Sequence, residues 1–521
     1  MSSITGIDLG TTFSALALVD ETGKPSLVSI DNERIMASCV YFPESEPGKM
    51  IVGQQAKNAL SIEPHSVLQR FKRDMGTDRS FQLRPGLSST PVEASAKILQ
   101  KLVQEASKGG HQIHEVVITV PANFGEDQRR ATIEAGRKAG LKVRNIINEP
   151  TAAVLAYAVQ RPVNGTVLVY DLGGGTFDVT IAKVEGQDVE CLTSEGDSGL
   201  GGIDFDECIA GLIDGIHQEV HGRSLKEALG IAQPDEIAAS VEWQSLLKDA
   251  EEIKKTLSVR ESAPFRYLES PDGRLIGEIT RSDFEKAISS MIARTEMLVE
   301  TALDNIEISP SGISEVLLVG GSTRIPAIRD SLTRLFGSPP TEGVNPDEAV
   351  ALGASIFSGF RSDRSELNPV QRETLGKVKV TDVANHFYGT ISVRDDADRG
   401  VRDEDVVSIV IPKDTPLPCS ITKRFATTVP GQLFIRCRVV QSNQEETDPQ
   451  FVNLVYDQQM GPFPPGRPAQ CPIDITYNYN LDATMDVEFL DVQSGQRHRA
   501  QLNLHSQQDS PAVDPNEFVI E

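Results

Sequence analysis

Cysteine pairs, long apolar runs and basic residues are all in short supply in this sequence, and each shortage excludes a class of protein. The six cysteines form no CxxC pair and no compact disulfide framework, so we expect reduced thiols and a cytoplasmic location. No apolar run is long enough for a membrane-spanning helix, and the start, MSSITGIDLG, lacks the features of a signal peptide. With 50 Lys and Arg against 75 Asp and Glu, the net charge of −25 argues against nucleic-acid binding.

An internal repeat organises the first two thirds of the 521 residues. Residues 7–14 recur in outline as residues 170–178, and each copy reads as an apolar strand, Asp-Leu-Gly, small residues and a second strand. Two more pairs follow in the same order, namely 115–121 with 315–321 and 148–153 with 345–350. Three collinear pairs predict two similar α/β halves with a ligand-binding cleft between them.

The remaining segments differ in character. Residues 203–310 show helical apolar spacing, whereas residues 361–383 are largely polar and are interpreted as a linker. Residues 384–505 consist of short β-type runs separated by turn clusters such as GPFPPGRP, which predicts a small antiparallel β-sandwich. Residues 506–521 are expected to be an acidic tail that frays.

Both copies of the Asp-Leu-Gly motif carry the groups that bind a nucleotide phosphate. DLGTT at 8–12 and DLGGGT at 171–176 each offer glycine N–H donors, hydroxyls and a carboxylate that holds Mg²⁺ through water. No GxxxxGK[ST] P-loop is present, and the turns lead into strands, unlike a dinucleotide-binding fingerprint. One such turn would be read as an ordinary hairpin, but two that face each other across a cleft predict a phosphate site.

A third glycine turn, VGGSTRIP at 319–326, joins a strand to a helix. Its glycines allow close approach of a base or ribose, and Arg324 would cover a ring face. Capping of the helix by Ser322 or Thr323 is the plainer interpretation, and the two are compatible.

The motifs DLGTT, VPANF, NEPTAA, DLGGGTFD, LGGIDFD and VGGSTRIP occur in this order, and the sequence therefore resembles the seventy-kilodalton heat-shock (Hsp70) chaperones. The resemblance is strong over residues 1–360 and weaker over 378–505. It implies an α/β fold with an actin-like (ribonuclease H-like), two-lobed ATPase domain at 1–360, divided near residue 165, followed by the β-sandwich. The implied activity is ATP hydrolysis coupled to binding of unfolded or extended polypeptide.

The resemblance also implies roles for individual residues. Lys72 matches the lysine that orients the attacking water, and Glu149 matches the carboxylate that helps to position that water and the metal. The implied catalytic set is Lys72, Glu149, Asp171, Thr176 and Thr11, and the implied Mg²⁺ set, acting mostly through water, is Asp8, Asp171 and Glu149. The implied ATP contacts are Gly10, Thr11, Thr12, Phe13, Gly173, Gly174, Gly175, Thr176, Gly201, Gly202, Glu251, Lys254, Lys255, Ser258, Gly320, Gly321, Ser322, Arg324 and Asp347. Pro121 and Arg129 match the interdomain switch pair.

The family also implies ATP/ADP with Mg²⁺, and K⁺ as a further cation, as cofactors. Its partners would be unfolded polypeptides, a J-domain co-chaperone and a nucleotide exchange factor, with the chain itself monomeric and without nucleic-acid or membrane partners. Three departures bear on these partners: Asn145 stands where a basic residue is expected, Lys255 replaces an arginine, and the apolar linker strip is interrupted at 378–383. The sequence stops soon after the β-sandwich, so we expect the helical lid of the family to be absent and bound peptide to leave quickly.

Three other functions are alternatives to a chaperone. They are a nucleotide-gated adaptor for one dedicated partner, an actin-like filament-forming ATPase, and a sugar or acetate kinase, which would need a catalytic base where Lys72 lies. His111 and His114 have a spacing found in metal sites, but their Gly-rich surroundings favour a solvated loop.

Overall fold

The computed structural model describes residues 4–84, 86–161, 163–233, 240–267, 272–341, 345–363, 365–376, 378–396, 401–480, 484–501 and 519–520. Within these ranges, no helix combines the length and apolar character needed to cross a bilayer. All six cysteines are free thiols. Three groups of strands and helices follow one another along the chain.

The first group contains a mixed sheet and four helices. Its strands are β1 Ile4–Leu9, β2 Phe13–Val19, β3 Pro25–Leu27, β4 Met36–Ala37, β5 Val40–Tyr41, β6 Lys49–Val52, β7 Val67–Leu68, β8 Phe81–Arg84, β9 Leu87–Ser89, β10 Glu115–Val120 and β11 Lys142–Asn148. Its helices are α1 Gln54–Asn58, α2 Pro91–Lys108, α3 Glu126–Lys138 and α4 Glu149–Gln160. The main sheet has the order β11-β10-β1-β2-β3, in which β1 to β3 are antiparallel and β10 and β11 run parallel to β1.

The second group repeats this plan. Its strands are β12 Val163–Leu172, β13 Phe177–Gly186, β14 Asp188–Asp197, β15 Ser262–Tyr267, β16 Leu275–Thr280 and β17 Glu315–Val319. Its helices are α5 Gly202–His221, α6 Leu225–Ala228, α7 Val241–Leu257, α8 Arg281–Asn305, α9 Pro326–Phe336 and α10 Ala349–Phe360. Strands β12 to β14 are antiparallel and β17 runs parallel to β12, as β10 does to β1. An isolated parallel bridge between Leu317 and Thr341 takes the place that β11 has in the first group.

The two alanine-rich helices of the repeat, α4 and α10, pack directly on each other between the sheets. A Cβ built on Gly353 of α10 would lie 1.7 Å from the carbonyl oxygen of Ala152 in α4. A Cβ on Gly6 of β1 would lie 2.1 Å from the backbone nitrogen of Ser355. Small residues therefore allow the helices and the first sheet to approach closely, and this packing fixes one half against the other.

The third group consists of two four-stranded antiparallel sheets around one apolar core. Helix α11 Pro369–Leu375 and strand β18 Lys379–Thr381 precede it, and its strands are β19 Phe387–Asp396, β20 Val401–Ile411, β21 Cys419–Ala426, β22 Ile435–Ser442, β23 Asn453–Met460, β24 Pro472–Tyr479, β25 Met485–Asp491 and β26 Arg497–Gln501. The sheet orders are β20-β19-β22-β23 and β21-β24-β25-β26. Alternate residues of β24 and β25 face the shared core, which agrees with their period-two pattern.

Residues 361–383, the segment interpreted as a linker, contain a short helix in the middle and a strand near the end. Asn368 caps α11 in a capping box with Gln371, and Pro369 occupies the first turn, where its missing N–H is harmless. Strand β18 pairs in parallel with β14 and so extends the second main sheet.

The last strand lies at the far end of residues 506–521, the segment expected to fray. Strand β27 Val519–Ile520 pairs in parallel with Lys49 and Met50 of β6. Residues 502–518 lie outside the described ranges.

Candidate functional site

The two Asp-Leu-Gly turns meet at the bottom of one cleft of about 450 Å³. A Cβ built on Gly174 would lie 2.3 Å from the side chain of Thr12, and one on Gly175 would lie 2.5 Å from Cγ2 of Thr11. The glycines of the second loop therefore press on the threonines of the first. Only residues without a side chain permit this contact, which holds two sets of backbone N–H groups and hydroxyls around one volume.

Two further glycine turns close the same end of the cleft. The N–H groups of Gly202 and Ile203 at the start of α5 donate to the carbonyls of Gly173 and Gly174, both at 2.9 Å. Gly320 has φ +81°, and a Cβ there would lie 2.3 Å from the carbonyl oxygen of Leu172. The left-handed backbone and the close contact both require glycine at this position.

Four acids, of which three are buried and Asp8 is partly buried, surround the loops together with one buried lysine. Asp8 and Asp171 stand near the ends of the repeated strands β1 and β12, and Asp8 accepts a hydrogen bond of 2.8 Å from Thr119. Lys72 follows β7 in a short 3₁₀ turn, and its Nζ lies 2.5 Å from Oε1 of Glu149. Glu149 begins α4, where the helix dipole favours a negative charge.

Burial and crowding raise the pKa values of these acids. Burial, followed by repulsion from Glu149, raises the pKa of Asp8 to about 7 and that of Asp178 to about 8. The pKa of Asp171 is raised well above its usual range, first by burial and then by Glu149, Asp178 and Asp8. Because burial and mutual repulsion disfavour the charged form of these acids, a cation beside them would be stabilising. Carboxylate oxygens are hard donors, which suit Mg²⁺.

The donor set therefore fits a magnesium ion held largely through water. Across the described residues, no three His, Cys, Asp or Glu side chains are grouped closely enough to ligate one ion directly. Water-mediated binding needs no such group, because Mg²⁺ keeps several of its waters. His111 and His114 lie in an irregular segment after α2 and belong to no metal-binding group within the described ranges.

The opposite wall of the cleft is formed by α7 and the third glycine turn. Lys254 donates to the carbonyl of Gly202 at 2.8 Å and pairs with Asp206 at 2.6 Å. Arg324 is half-exposed and pairs with Asp347 at 2.7 Å. Lys255 pairs with Glu251 and Glu252, at 3.0 and 2.8 Å. Charged groups with an exposed, planar Arg324 among them suit an adenosine more than an apolar ligand.

Most of the residues expected at the site line this cleft. They are Asp8, Gly10, Thr11, Thr12, Phe13, Lys72, Glu149, Asp171, Gly173, Gly174, Thr176, Gly202, Glu251, Lys254, Lys255, Gly320, Gly321, Ser322, Arg324 and Asp347. Gly175 faces Thr11 from within the second loop, and Gly201 packs against the backbone of Gly174 and Gly175. The Ser258 hydroxyl donates to the carbonyl of Lys254 at the end of α7. Sequence reasoning missed Lys57, Asp178 and Asp206, although Asp178 ends the quoted motif DLGGGTFD.

Two ion pairs join the halves at and near the cleft, and the first of them lines it. Nζ of Lys57, in α1, lies 2.6 Å from Glu251 in α7. Burial raises the pKa of Glu251, but its pairs with Lys57 and Lys255 outweigh burial and lower it to about 2. Arg73 pairs with Asp204 at 2.6 Å and donates to the carbonyl of Gly175 at 2.9 Å. Charged contacts thus hold the two halves together beside the cleft.

A second polar network joins the first half to the third group of strands. Arg129 is buried and donates to Asn148 at 2.8 Å, and Asn148 donates to Asp382, beside β18, at 2.9 Å. Pro121 is buried at the start of the turn that carries the carbonyl of Ala122. That carbonyl accepts hydrogen bonds from Arg129 and from Asn385, at 3.2 and 2.7 Å.

Comparison with protein families agrees with this architecture. A family model described as Hsp70 protein matches residues 4–84 and 80–517, which together extend over nearly the whole chain. The match includes both repeated halves, the connecting segment and the two antiparallel sheets. It confirms the resemblance inferred from six short motifs, and the chain belongs to the Hsp70 family.

Proposed function

We propose that this chain is an ATP-hydrolysing chaperone, in which nucleotide turnover in the cleft controls how the two-sheet domain holds extended polypeptide. The observation that carries the proposal is the contact of Gly174 and Gly175 with Thr12 and Thr11, in the cleft that the Lys72–Glu149 pair also lines. The two-lobed part would be the actin-like ATPase domain, residues 1–360, and residues 384–505 the substrate-binding sandwich.

The polar groups at the base of the cleft have distinct tasks in hydrolysis. Glycine N–H groups of both loops, with the hydroxyls of Thr11 and Thr176, bind the terminal phosphates. Lys72 carries a charge that is nearly removed from solvent, so its attraction for the charge developing on the transferred phosphoryl group is little screened. Glu149, held by Lys72, accepts a hydrogen bond from the attacking water and orients it. Mg²⁺, when bound by Asp8, Asp171 and Glu149 through water, supplies positive charge to the phosphate oxygens.

The nucleoside is recognised by the opposite wall. Glu251, Lys254 and Ser322 offer polar contacts to the ribose and base, and Arg324 stacks on the ring. Lys255 is engaged by two carboxylates and lacks a planar group, so the stacking contribution expected from an arginine is missing on that side.

Coupling between nucleotide and polypeptide passes through the segment around β18. This strand adds to the sheet that carries Asp171 in β12 and Thr176 in the loop after it. The chain Arg129–Asn148–Asp382 ties the same segment to α3 and to the residue preceding Glu149. Closure of the loops on a triphosphate would therefore alter the surface on which β18 docks, which is the differential contact that coupling requires.

The polypeptide end of the proposal rests on exposed apolar residues of the two-sheet domain. Val429, Leu433 and Phe434, in the loop between β21 and β22, are 54%, 42% and 41% exposed. An apolar cluster in an antiparallel-sheet loop can bind the side chains of an extended segment, whose backbone pairs with nearby polar groups. Phe451, which is 70% exposed, lies in a separate short turn before β23 and provides a matched control.

A single-turnover ATPase assay with and without unfolded polypeptide tests the proposal. We expect hydrolysis that requires Mg²⁺, releases free phosphate and accelerates when polypeptide is added. The variant F434D should lose the acceleration and keep basal hydrolysis, whereas F451D should retain both.

Other outcomes separate the competing functions. Hydrolysis that no polypeptide accelerates would replace the chaperone with a nucleotide-gated adaptor, and sedimentation with ATP would indicate an actin-like filament former. Sensitivity of the polypeptide-dependent rate to a J-domain protein tests whether Asn145, buried on β11, still permits that partner.

A further inference from the structure

We propose that the outer edge of β6 is a docking site for Val519 and Ile520 of this same chain, which bind there as an additional parallel strand. Val519 pairs with Lys49 and Ile520 pairs with Met50. The resulting small sheet has the order β27-β6-β5-β7. The apposition of these two backbones, from opposite ends of the sequence, is the observation on which the proposal stands.

Strand β6 has the properties of an acceptor edge. It pairs with β5 on one side, through Val40↔Val52 and Tyr41↔Ile51. Among the described strands, β27 is the one that pairs with its other edge. Met50 and Val52 are buried in the core of the first half, which holds the strand rigid. A rigid strand at a sheet edge can accept an additional strand, and backbone hydrogen bonds then provide the affinity.

The sequence of the docking segment suits this role. FVI is an aromatic residue followed by two β-branched residues, the types that favour extended strands. The preceding residues 506–517, SQQDSPAVDPNE, contain two prolines and little apolar surface, which is typical of a tether. The 17 residues between β26 and β27 can span up to about 60 Å when extended, so docking within one molecule is sterically accessible.

The position of the site connects it to the cleft. After β6 the chain passes through Gly53 into α1, which carries Lys57, and the same small sheet ends in β7, three residues before the turn of Lys72. The fourth strand adds backbone hydrogen bonds to the small sheet whose strands β6 and β7 precede the two lysines in the chain. We therefore expect docking to slow the release of ADP; this consequence rests on the proposed function, whereas the docking does not.

Hydrogen exchange of the full chain tests the docking without reference to ATP. In the variant V519P/I520P the tail lacks the backbone N–H groups that a strand needs, so the amides within residues 49–52 that face β27 should exchange about tenfold faster than in the unsubstituted chain. The matched variant V519T/I520T keeps those N–H groups and a β-branched shape, and it should retain the protection. Equal exchange at 49–52 in the unsubstituted and proline variants would overturn the proposal.

A synthetic peptide of residues 514–521 provides a second test of the docking. Added to V519P/I520P, it should restore the slow exchange of residues 49–52, and the same peptide with prolines at positions 519 and 520 should not. Protection that disappears on dilution of the unsubstituted protein would assign the docked strand to a second copy and overturn docking within one molecule. Loss of protection with unchanged ADP release would refute only the link to the cleft.

Discussion

Nζ of Lys72 lies 2.5 Å from Oε1 of Glu149, and the two side chains are only 4% and 11% exposed. The pair joins the short turn after β7 to the first residue of α4. Because each charge is nearly removed from water, neither can lose its partner without a large penalty. The same pair lines the cleft that contains the two glycine loops, so we expect stability and the proposed hydrolysis to depend on it in separable ways.

Replacing Lys72 by methionine should abolish most hydrolysis. The variant K72M removes the charge that would stabilise the transferred phosphoryl group, and loss of one such contact typically costs about 10²- to 10³-fold in rate. It also leaves Glu149 buried without its partner, which should lower the free energy of unfolding by about 3 kcal/mol. Single-turnover hydrolysis and chemical denaturation measure the two effects.

The double variant K72M/E149Q separates the two effects. It removes both charges, so it should regain much of the stability and none of the activity. K183M, at an exposed lysine of β13, serves as the control and should leave both quantities unchanged. Hydrolysis by K72M near the original rate would contradict the role given to Lys72.

A methyl group at position 175 should weaken nucleotide binding. In G175A the new Cβ meets the Thr11 side chain at 2.5 Å, and relief of such overpacking costs about 1–3 kcal/mol, which is about 5- to 150-fold in affinity for ADP. Trimming the neighbour in G175A/T11S should restore part of the affinity, because the nearest atom is the Thr11 methyl group. G215A, where the Cβ meets open space on α5, should leave affinity unchanged in isothermal titration calorimetry.

Docking of the two-sheet domain should weaken as the pH falls. Burial, reinforced by the positive charges of Arg129 and Lys413, lowers the pKa of His386 from 6.5 to about 3. Since the docked state holds His386 neutral, its stability is fully present above pH 6.5 and declines as the pH falls from 6.5 toward 3. At pH 5 the loss is about 2 kcal/mol.

Energy transfer between dyes on the two domains measures this dependence. The variant H386Q has no titrating ring, so its docking should vary less between pH 7.5 and pH 5. A docking equilibrium that is equally steep in H386Q would assign the pH dependence to other groups.

Interrupting β18 should uncouple polypeptide from nucleotide. Val380 pairs with Val189 and is buried, so V380D places a charge between β14 and its neighbours and should release the strand. Basal hydrolysis should persist, while its acceleration by polypeptide should disappear. V370D, on an exposed face of the nearby α11, is the matched control, and limited proteolysis of residues 376–385 reports release of the segment.

Local sequence patterns predicted the repeated strand–turn–strand units. They did not predict the strand pairings and side-chain contacts between segments that are distant in the sequence. The strand–turn–strand reading of the two Asp-Leu-Gly motifs agrees with the structure because glycine and alternating apolar residues act over a few positions. The hairpin of β15 and β16 was missed inside a stretch predicted to be mostly helical. Its signal was the alternation of buried Ala263, Phe265 and Tyr267, which is typical of a strand.

Contacts across the cleft could not be predicted from the sequence, because the residues that form them are far apart in the chain. Lys57 and Glu251 are 194 positions apart, and nothing near either residue indicates the other. Sequence reasoning assigned Glu251 to the nucleoside but could not show that it also pairs with Lys57. The parallel pairing of β27 with β6 was hidden in the same way, although the run FVI carried a strand signal.

The contact between the two glycine hairpins restricts which substitutions each hairpin can accept during evolution. Position 174 touches the side chain at position 12, and position 175 touches the side chain at position 11. A larger residue at a position of one hairpin requires a smaller residue at the contacting position of the other. Positions 174 and 12, and positions 175 and 11, should therefore co-vary among related sequences. Each hairpin therefore limits the size of the side chains that the other can accept.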